Sequence, residues 1–335
     1  MRRTLGRGAD SVLITAVRPL PAVSPRRTAA GVEAEVVALR RAHPAWGARK
    51  LACRLRDQGA QAVPAASTIT AILRRHGLLE HPVPEPRAWQ RFEHPYPNAF
   101  WQMDFKGHFA MTQGRCHPLT VLDDYSRFNL TLAACADERG TTVKRHLTGT
   151  FRRYGLPERI GLDNGAPGGQ DFTHTLTPLT VWLLHIGIRV SHSHPYHPQT
   201  LGKDERFHRS FKAEVLTSHT FGDLLDCQLR FDHGRDIYNL QRPHEALSLA
   251  VPASRYQPSP RAYPETLPAI EYETGALVRK VQDGGRVGYH GRTFRIAKAL
   301  RGYPVALQPT AQDGVLAVYF RHYHVAQIDL HSAPE

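Results

Sequence analysis

Three acids, far apart in the chain, are the residue types that hard-metal chemistry requires. They are Asp104 in WQMDFKG, Asp163 in GLDNG, and Glu205 in PYHPQTLGKDERFHRSFKAE, the stretch from Pro195 to Glu214. Cutting and joining phosphodiesters needs one ion to activate the attacking oxygen and another to stabilise the leaving one, the two standing roughly 3.5–4 Å apart. Mg²⁺ prefers carboxylate oxygens and keeps several waters, so three acids from separate elements suffice. Asp104, Asp163 and Glu205 are therefore both the candidate catalytic residues and the candidate metal ligands.

The elements that must position them follow from local patterning. Trp101, Met103 and Phe105 alternate with Gln102, Asp104 and Lys106, the period of a half-buried strand. ERIGLDNG reads as a short strand stopping at Asp163 and Asn164. Turn-forming Pro195, Pro198 and Gly202 run into a helix whose Phe207, Phe211 and Val215 recur every four residues and face a core. Glu205, His208, Arg209 and Lys212 fall on a separate polar stripe, and Asp204 points about 100° away from Glu205 around the helix. Lys203 and Arg206 bracket the acid and can hold phosphate; with Arg209 and Lys212 they are the expected DNA contacts of this helix.

Other candidates carry less chemistry. Asp123 and Asp124 lie at an expected hairpin, where acids commonly serve turns. His192, His194 and His197 have no neighbouring cysteine to complete a zinc site and read as loop or substrate-positioning histidines. Ser126 and Cys135 have no evident base, which argues against a protein nucleophile.

The remaining chain divides by composition. Residues 1–30 are expected to form a disordered or truncated tail. Residues 31–80 hold three short helical patterns, with Pro44, Gly59 and Gly77 as stops and Ser67 as a candidate cap. Their basic outer residues, Arg49, Lys50, Arg54, Arg56, Arg74 and Arg75, suit a helix-turn-helix DNA-binding unit; a plain helical bundle with solvated arginines is the alternative. A proline-rich linker is expected at 81–97 and another at 251–268. Between them, at 98–250, strands and helices succeed one another as an α/β layered catalytic unit. CHPLTVLDD and RFNLTLAACA make an antiparallel meander with the first strand, LTPLTVWLLHIG forms a buried helix, and FGDLLDCQLRFDHGRDIYN an amphipathic segment interrupted by Gly234. From 269 to 332, the runs ALVRKV, RVGYH, TFRIA, PVALQP and LAVYF predict a small β-barrel or sandwich. Its arginines and aromatic residues either track a phosphate backbone or serve a plain structural cap.

The whole chain supports this reading. Forty-three Lys and Arg against thirty Asp and Glu give a net charge of +13 over 335 residues, a balance that points to nucleic acid. The four cysteines, Cys53, Cys116, Cys135 and Cys227, form no CxxC pair, against a disulfide framework or zinc finger. No run approaches the roughly 20 apolar residues of a membrane span. A cytoplasmic protein, without membrane or small-molecule partner, is expected.

WQMDFKGHF, HPLTVLDDYSRF, FRRYGLPERIGLDNG, the long block ending PYHPQTLGKDERFHRSFKAE, and YNLQRPHEAL together resemble the integrase core of IS481-type bacterial transposases, in the retroviral-integrase-like DDE superfamily. The resemblance runs from about Pro44 to Pro264. It implies an RNase H-like core preceded by a helix-turn-helix domain and followed by a small β-barrel-like domain. It also implies dependence on Mg²⁺ or Mn²⁺, with two ions, and strand transfer at mobile-element ends. The three family acids fall on Asp104, Asp163 and Glu205. Double-stranded DNA is the implied partner, held by a homo-oligomer in the bacterial nucleoid. Three positions depart from the family pattern: Met1–Pro25 shows no further helix-turn-helix, APGGQ follows the DNG motif where a tryptophan is usual, and Gly234 replaces a larger residue. An inactive DNA-binding relic and a simple metal-dependent nuclease are the competing readings.

Overall fold

The computed structural model describes residues 28–79, 93–162, 176–192, 202–217 and 219–332. Helices α1 (Ala30–Ala42), α2 (Ala48–Asp57) and α3 (Ala66–Arg75) form the N-terminal unit. Trp46, Leu51, Ile69 and Ile72, all fully buried, are its core. Helix α3 starts at Ala66 with no side-chain cap, so Ser67 lies inside its first turn.

The central unit contains β1 (Trp101–Phe105), β2 (Phe109–Ala110), β3 (Arg115–Asp123), β4 (Asn129–Cys135), α4 (Gly140–Tyr154), β5 (Arg159–Leu162), α5 (Pro178–His185) and β6 (Arg189–His192). It closes with α6 (Gly202–Phe211), a π-helical turn over Lys212–Leu216, and α7 (Leu224–Leu240). The main sheet runs β4-β3-β1-β5-β6, with short β2 also paired to β3. Pairs β3–β4 and β1–β3 are antiparallel, whereas β1–β5 and β5–β6 are parallel. This is the RNase H-like layering.

Alternation along the strands feeds two cores. Trp101, Met103, Leu119 and Val121 pack with Phe151 of α4 and Trp182 of α5. Leu122 and Leu132 pack with Phe207, Phe211 and Phe231 of α6 and α7 on the other face. Gln102 and Asp104, out of phase with Trp101 and Met103, consequently face α6. Helix α7 passes through Gly234 without interruption, contrary to the expected break. A Cβ there would stand 2.6 Å from Val215 Cγ2, so the glycine permits close approach of the π-helical turn.

The proline-rich stretch expected as a linker at 251–268 is strapped to the core. Tyr256 stacks on Phe128 at 4.4 Å, and the Ser259 amide donates to the Tyr154 carbonyl at 2.8 Å. Gly155, at φ 76°, lies beneath this strap, where a Cβ would meet the Ser259 carbonyl at 2.5 Å.

The C-terminal unit holds β7 (Leu277–Lys280), β8 (Arg286–Tyr289), β9 (Arg292–Arg295), β10 (Pro304–Pro309), β11 (Val315–Phe320) and β12 (Tyr323–Asp329). They form a four-stranded sheet, β12-β11-β10-β7, and a β8–β9 hairpin. Val181 and Leu184 of α5 share its apolar core with Val318 and Phe320. The N-terminal unit also touches the centre: Arg54 donates to Gln241 at 3.0 Å, and Ile237 of α7 packs on the helical core.

Candidate active site

Asp104 sits on the fourth residue of β1, its side chain 24% exposed, on the sheet face covered by α6. The parallel register places Met103 beside Leu162, the residue before Asp163. Asp163 itself lies outside the described residues, as do His194, His197 and the side chain of His192. Glu205, in the first turn of α6, is exposed and makes no hydrogen bond or ion pair among the described residues. Among the described residues no three His, Cys, Asp or Glu side chains form a metal cluster.

Two residues of α6 lie closer to Asp104 than their polar character suggests. Asp204 is completely buried, and neither carboxylate oxygen has a hydrogen-bond partner among the described residues. Burial, together with the charges of Asp104 and Asp124, pushes its carboxyl well above the usual range. His208 is buried against Thr120, with Nε2 3.0 Å from the hydroxyl. The Thr120 hydroxyl also lies 3.0 Å from the Asp104 carbonyl oxygen, to which it donates. With that proton committed, His208 Nε2–H donates to Thr120 and Nδ1 keeps a lone pair. Nδ1 is 3.8 Å from Asp104 Oδ2, beyond hydrogen-bond range. Burial, then the charge of Lys106, lowers the imidazole to about 4, so it is neutral at pH 7.

The spacing puts both residues on the buried stripe of α6 but does not tell whether polar groups there are covered. Asp204, Phe207, His208, Phe211 and Val215 follow the i, i+3, i+4, i+7, i+11 stripe of a helix face. Reading the stripe by hydrophobic type alone finds its centre and misses its polar flanks.

The turn acids are also buried. Asp123 accepts from the amides of Asn98 and Ser126, each at 2.8 Å, and from the Ser126 hydroxyl at 2.5 Å. Burial still raises its carboxyl above the usual range. Asp124 accepts from the Gln102 side-chain amide at 2.8 Å and the His94 amide at 2.9 Å. Its carboxylate also pairs with Lys203, an ammonium that burial makes easier to deprotonate. Lys203, expected at a phosphate, thus ties α6 to the end of β3.

Of the three acids at this sheet face, Asp204 is held toward its neutral form by burial and Asp124 is paired with Lys203, which leaves Asp104, 24% exposed, as the one that reaches solvent. Asp104, on the strand, and the exposed Glu205, in the first turn of α6, are carboxylate oxygen donors. Such a donor set fits a hard divalent cation.

The expected DNA contacts separate by placement. Arg49, Arg74, Arg206, Arg209 and Lys212 are exposed; Arg75 is exposed and bonds Glu33 at 2.9 Å. Lys50 and Arg54 are partly buried where α2 meets the central unit. Burial and the nearby Arg242 lower Lys50 to about 8. No helix among the described residues is long and apolar enough to cross a membrane.

Comparison with known proteins gives matches along most of the described chain. Residues 94–198 and 186–252 match two Integrase core domain families, and residues 276–334 match the IS481 family transposase C-terminal domain. An uncharacterized 31.7 kDa protein of insertion element IS407 from Burkholderia multivorans is 28% identical over 157 residues, covering 47% of this chain and 54% of that protein. An uncharacterized 39.2 kDa protein of insertion element IS476 from Xanthomonas euvesicatoria is 29% identical over 157 residues, covering 47% and 44%. The chain therefore spans about half the length of these curated relatives. A chain of the simian T-cell lymphotropic virus intasome, solved with a PP2A regulatory subunit, aligns with a TM-score of 0.43 at 14% identity, covering 84% and 91%.

Proposed function

We propose that this chain, whose segments match integrase core domains and the IS481 family transposase C-terminal domain, is a transposase that cleaves phosphodiesters at mobile-element ends and joins the freed strand to a target. Asp104, Asp163 and Glu205 are the proposed ligands of Mg²⁺ or Mn²⁺. Bound there, two ions would activate the attacking oxygen and offset charge on the leaving one. The observation that carries the reading is the convergence of β1, bearing Asp104, with the strand that leads to Asp163 and the helix that bears Glu205.

The chain's own groups have separate tasks. His208 and Thr120 hold the Asp104 segment at its carbonyl. The Lys203–Asp124 pair and the Gln102 side chain, whose oxygen lies 3.3 Å from the Asp204 amide, fix the start of α6 against β1. No protein nucleophile is required, because water and then the freed 3′-hydroxyl attack.

Helices α2 and α3 act as a helix-turn-helix, with Arg74 and Arg75 of α3 toward the major groove. The C-terminal strands act as a small β-barrel-like domain, and a homo-oligomer brings two ends together. The domains lie at 31–80, 98–250 and 269–332, and the protein works in the bacterial cytoplasm on nucleoid DNA.

A strand-transfer assay with element-end DNA and Mg²⁺ or Mn²⁺ tests the proposal. Asp104→Asn and Glu205→Gln are each expected to reduce cleavage at least about a thousandfold, as losing a charge-stabilising group does, while end binding stays within about twofold. Cleavage by Glu205→Gln at the parent rate removes that residue from the site. Cleavage without joining makes the protein a nuclease, and binding with neither activity makes it a DNA-binding relic.

A further inference from the structure

A cavity of about 350 Å³ opens between β6, at the edge of the central sheet, and β12 of the C-terminal sheet. Arg159 and Arg189 line it together with Ser191 and Tyr323, over an apolar lining that includes Leu184 and Val325. Arg159 and Arg189 are register partners at the starts of parallel β5 and β6. Neither guanidinium has a hydrogen bond or ion pair among the described residues, and the Tyr323 hydroxyl likewise has no hydrogen-bond partner among them.

Among the described residues, the cavity lining carries two guanidiniums and no carboxylate. Arg189, Arg321 and Arg261 all lie near enough to act on the Tyr323 phenol. Arg261 is fixed by the carbonyls of Pro157 and Gly187, each at 2.7 Å, and Arg321 by the carbonyl of His185. Carbonyls orient a guanidinium and leave its charge uncancelled. Glu158, the carboxylate next to Arg159 in the chain, accepts from the Tyr96 hydroxyl at 2.9 Å.

We propose that this cavity holds one unpaired nucleotide of a DNA strand engaged at the active site, its phosphate on Arg159 and Arg189 and its base against Tyr323. The inference rests on the reading of the protein as a DNA-processing enzyme and adds a single-strand subsite to it. The volume lies at the small end of ligand sites and is far too small for a duplex. Unpaired cationic groups beside an aromatic ring and apolar walls are the combination that captures single strands, by phosphate contact and stacking. Its location suits that role. β5 runs from Arg159 to Leu162, about 10 Å of strand, and ends immediately before Asp163. An acidic peptide would use the arginines and leave the ring and apolar lining without a base to cover them.

The test uses the full chain, EDTA to prevent cleavage, and anisotropy with two labelled duplexes of the same sequence, one blunt and one with a three-nucleotide single-stranded overhang. The parent chain is expected to bind the overhang about tenfold more tightly, the gain of roughly one stacked base. Arg159→Ala with Arg189→Ala, and separately Ser191→Trp, which fills the cavity while keeping its charge, are each expected to abolish that preference. Both should leave blunt-duplex binding within about twofold, which also shows that the variants are folded. Equal binding of the two duplexes by the parent chain, or a preference surviving in both variants, overturns the subsite while leaving the catalytic acids untouched. Displacement of the overhang by submillimolar dAMP makes the cavity a free-nucleotide site and equally overturns the assignment. If the parent chain binds neither duplex, the broader DNA-processing reading fails instead.

Discussion

At the scale of single residues, this protein keeps polar groups inside where their chemistry is constrained. Asp204 and His208 occupy the sheet-facing side of α6 next to Asp104, and His244 lies buried beyond the end of α7. The His244 ring meets Tyr238 edge-on at 6.3 Å, and its Nδ1 has no hydrogen-bond partner among the described residues. Burial, then the charges of Arg242, Arg127, Lys50 and Arg206, lowers it from 6.5 to about 3. The sign follows directly: the unfolded chain takes up this proton near pH 6.5 and the folded chain does not. Stability from the neutral ring is therefore complete above about pH 6.5 and is lost as pH falls toward 3. By pH 5 the loss from this group, relative to high pH, is about 2 kcal/mol. His208, lowered to about 4, acts in the same direction. We predict that urea midpoints fall from pH 7 to pH 5, and that His244→Asn keeps a smaller part of that fall. An identical fall in the variant would show that His244 is not buried neutral.

At the scale of elements, the packing of α7 against the end of α6 depends on an absent side chain. An exposed helical glycine replaced by alanine gains about 1 kcal/mol. At Gly234 the added methyl meets the branched Val215 side chain at 2.6 Å, and overpacking of this kind costs about 1–3 kcal/mol. The steric term wins because Val215 is itself buried and branched at Cβ. Gly234→Ala is expected to destabilise by about 1 kcal/mol. A double-mutant cycle with Val215→Ala should recover at least half of that loss as coupling energy. Additive effects would mean that α7 shifts freely and the contact is unimportant. The 251–268 strap follows the same logic: its prolines discourage helix and strand, yet Tyr256 and Tyr263 find aromatic partners on the central unit.

At the scale of the molecule, net charge and unit arrangement together determine how a polyanion is met. The chain carries +13, with Arg74 and Arg75 exposed on α3 and Arg206, Arg209 and Lys212 exposed on and just beyond α6. Lys50 and Arg54 instead lie at the junction between α2 and the central unit, so the exposed basic surface is smaller than the arginine count suggests. Association with DNA is nevertheless expected to involve many phosphates. Affinity for a fixed duplex should fall at least about a thousandfold between 50 and 200 mM salt, the loss expected for six or more released counterions. A titration showing less than about a tenfold fall would limit the interface to one or two phosphates and count against the basic surfaces as a DNA platform.

What the sequence determined by itself is the order and type of the elements. Period-two alternation identifies the strand carrying Asp104, and the stops at Pro44, Gly59 and Gly77 separate the three N-terminal helices. Period and turn residues are local properties, legible without knowing what lies opposite. Strand β12 escaped notice because YHVAQID has weak alternation and is made a strand by pairing with β11. Tertiary structure alone decided that Asp204 and His208 are interior, that Lys203 serves Asp124, and that a proline-rich stretch is a strap. The physical reason is common to all three: burial of a polar or irregular segment depends on a partner distant in sequence. Thr120 for His208, Asp124 for Lys203 and Phe128 for Tyr256 become neighbours only when the sheet has formed.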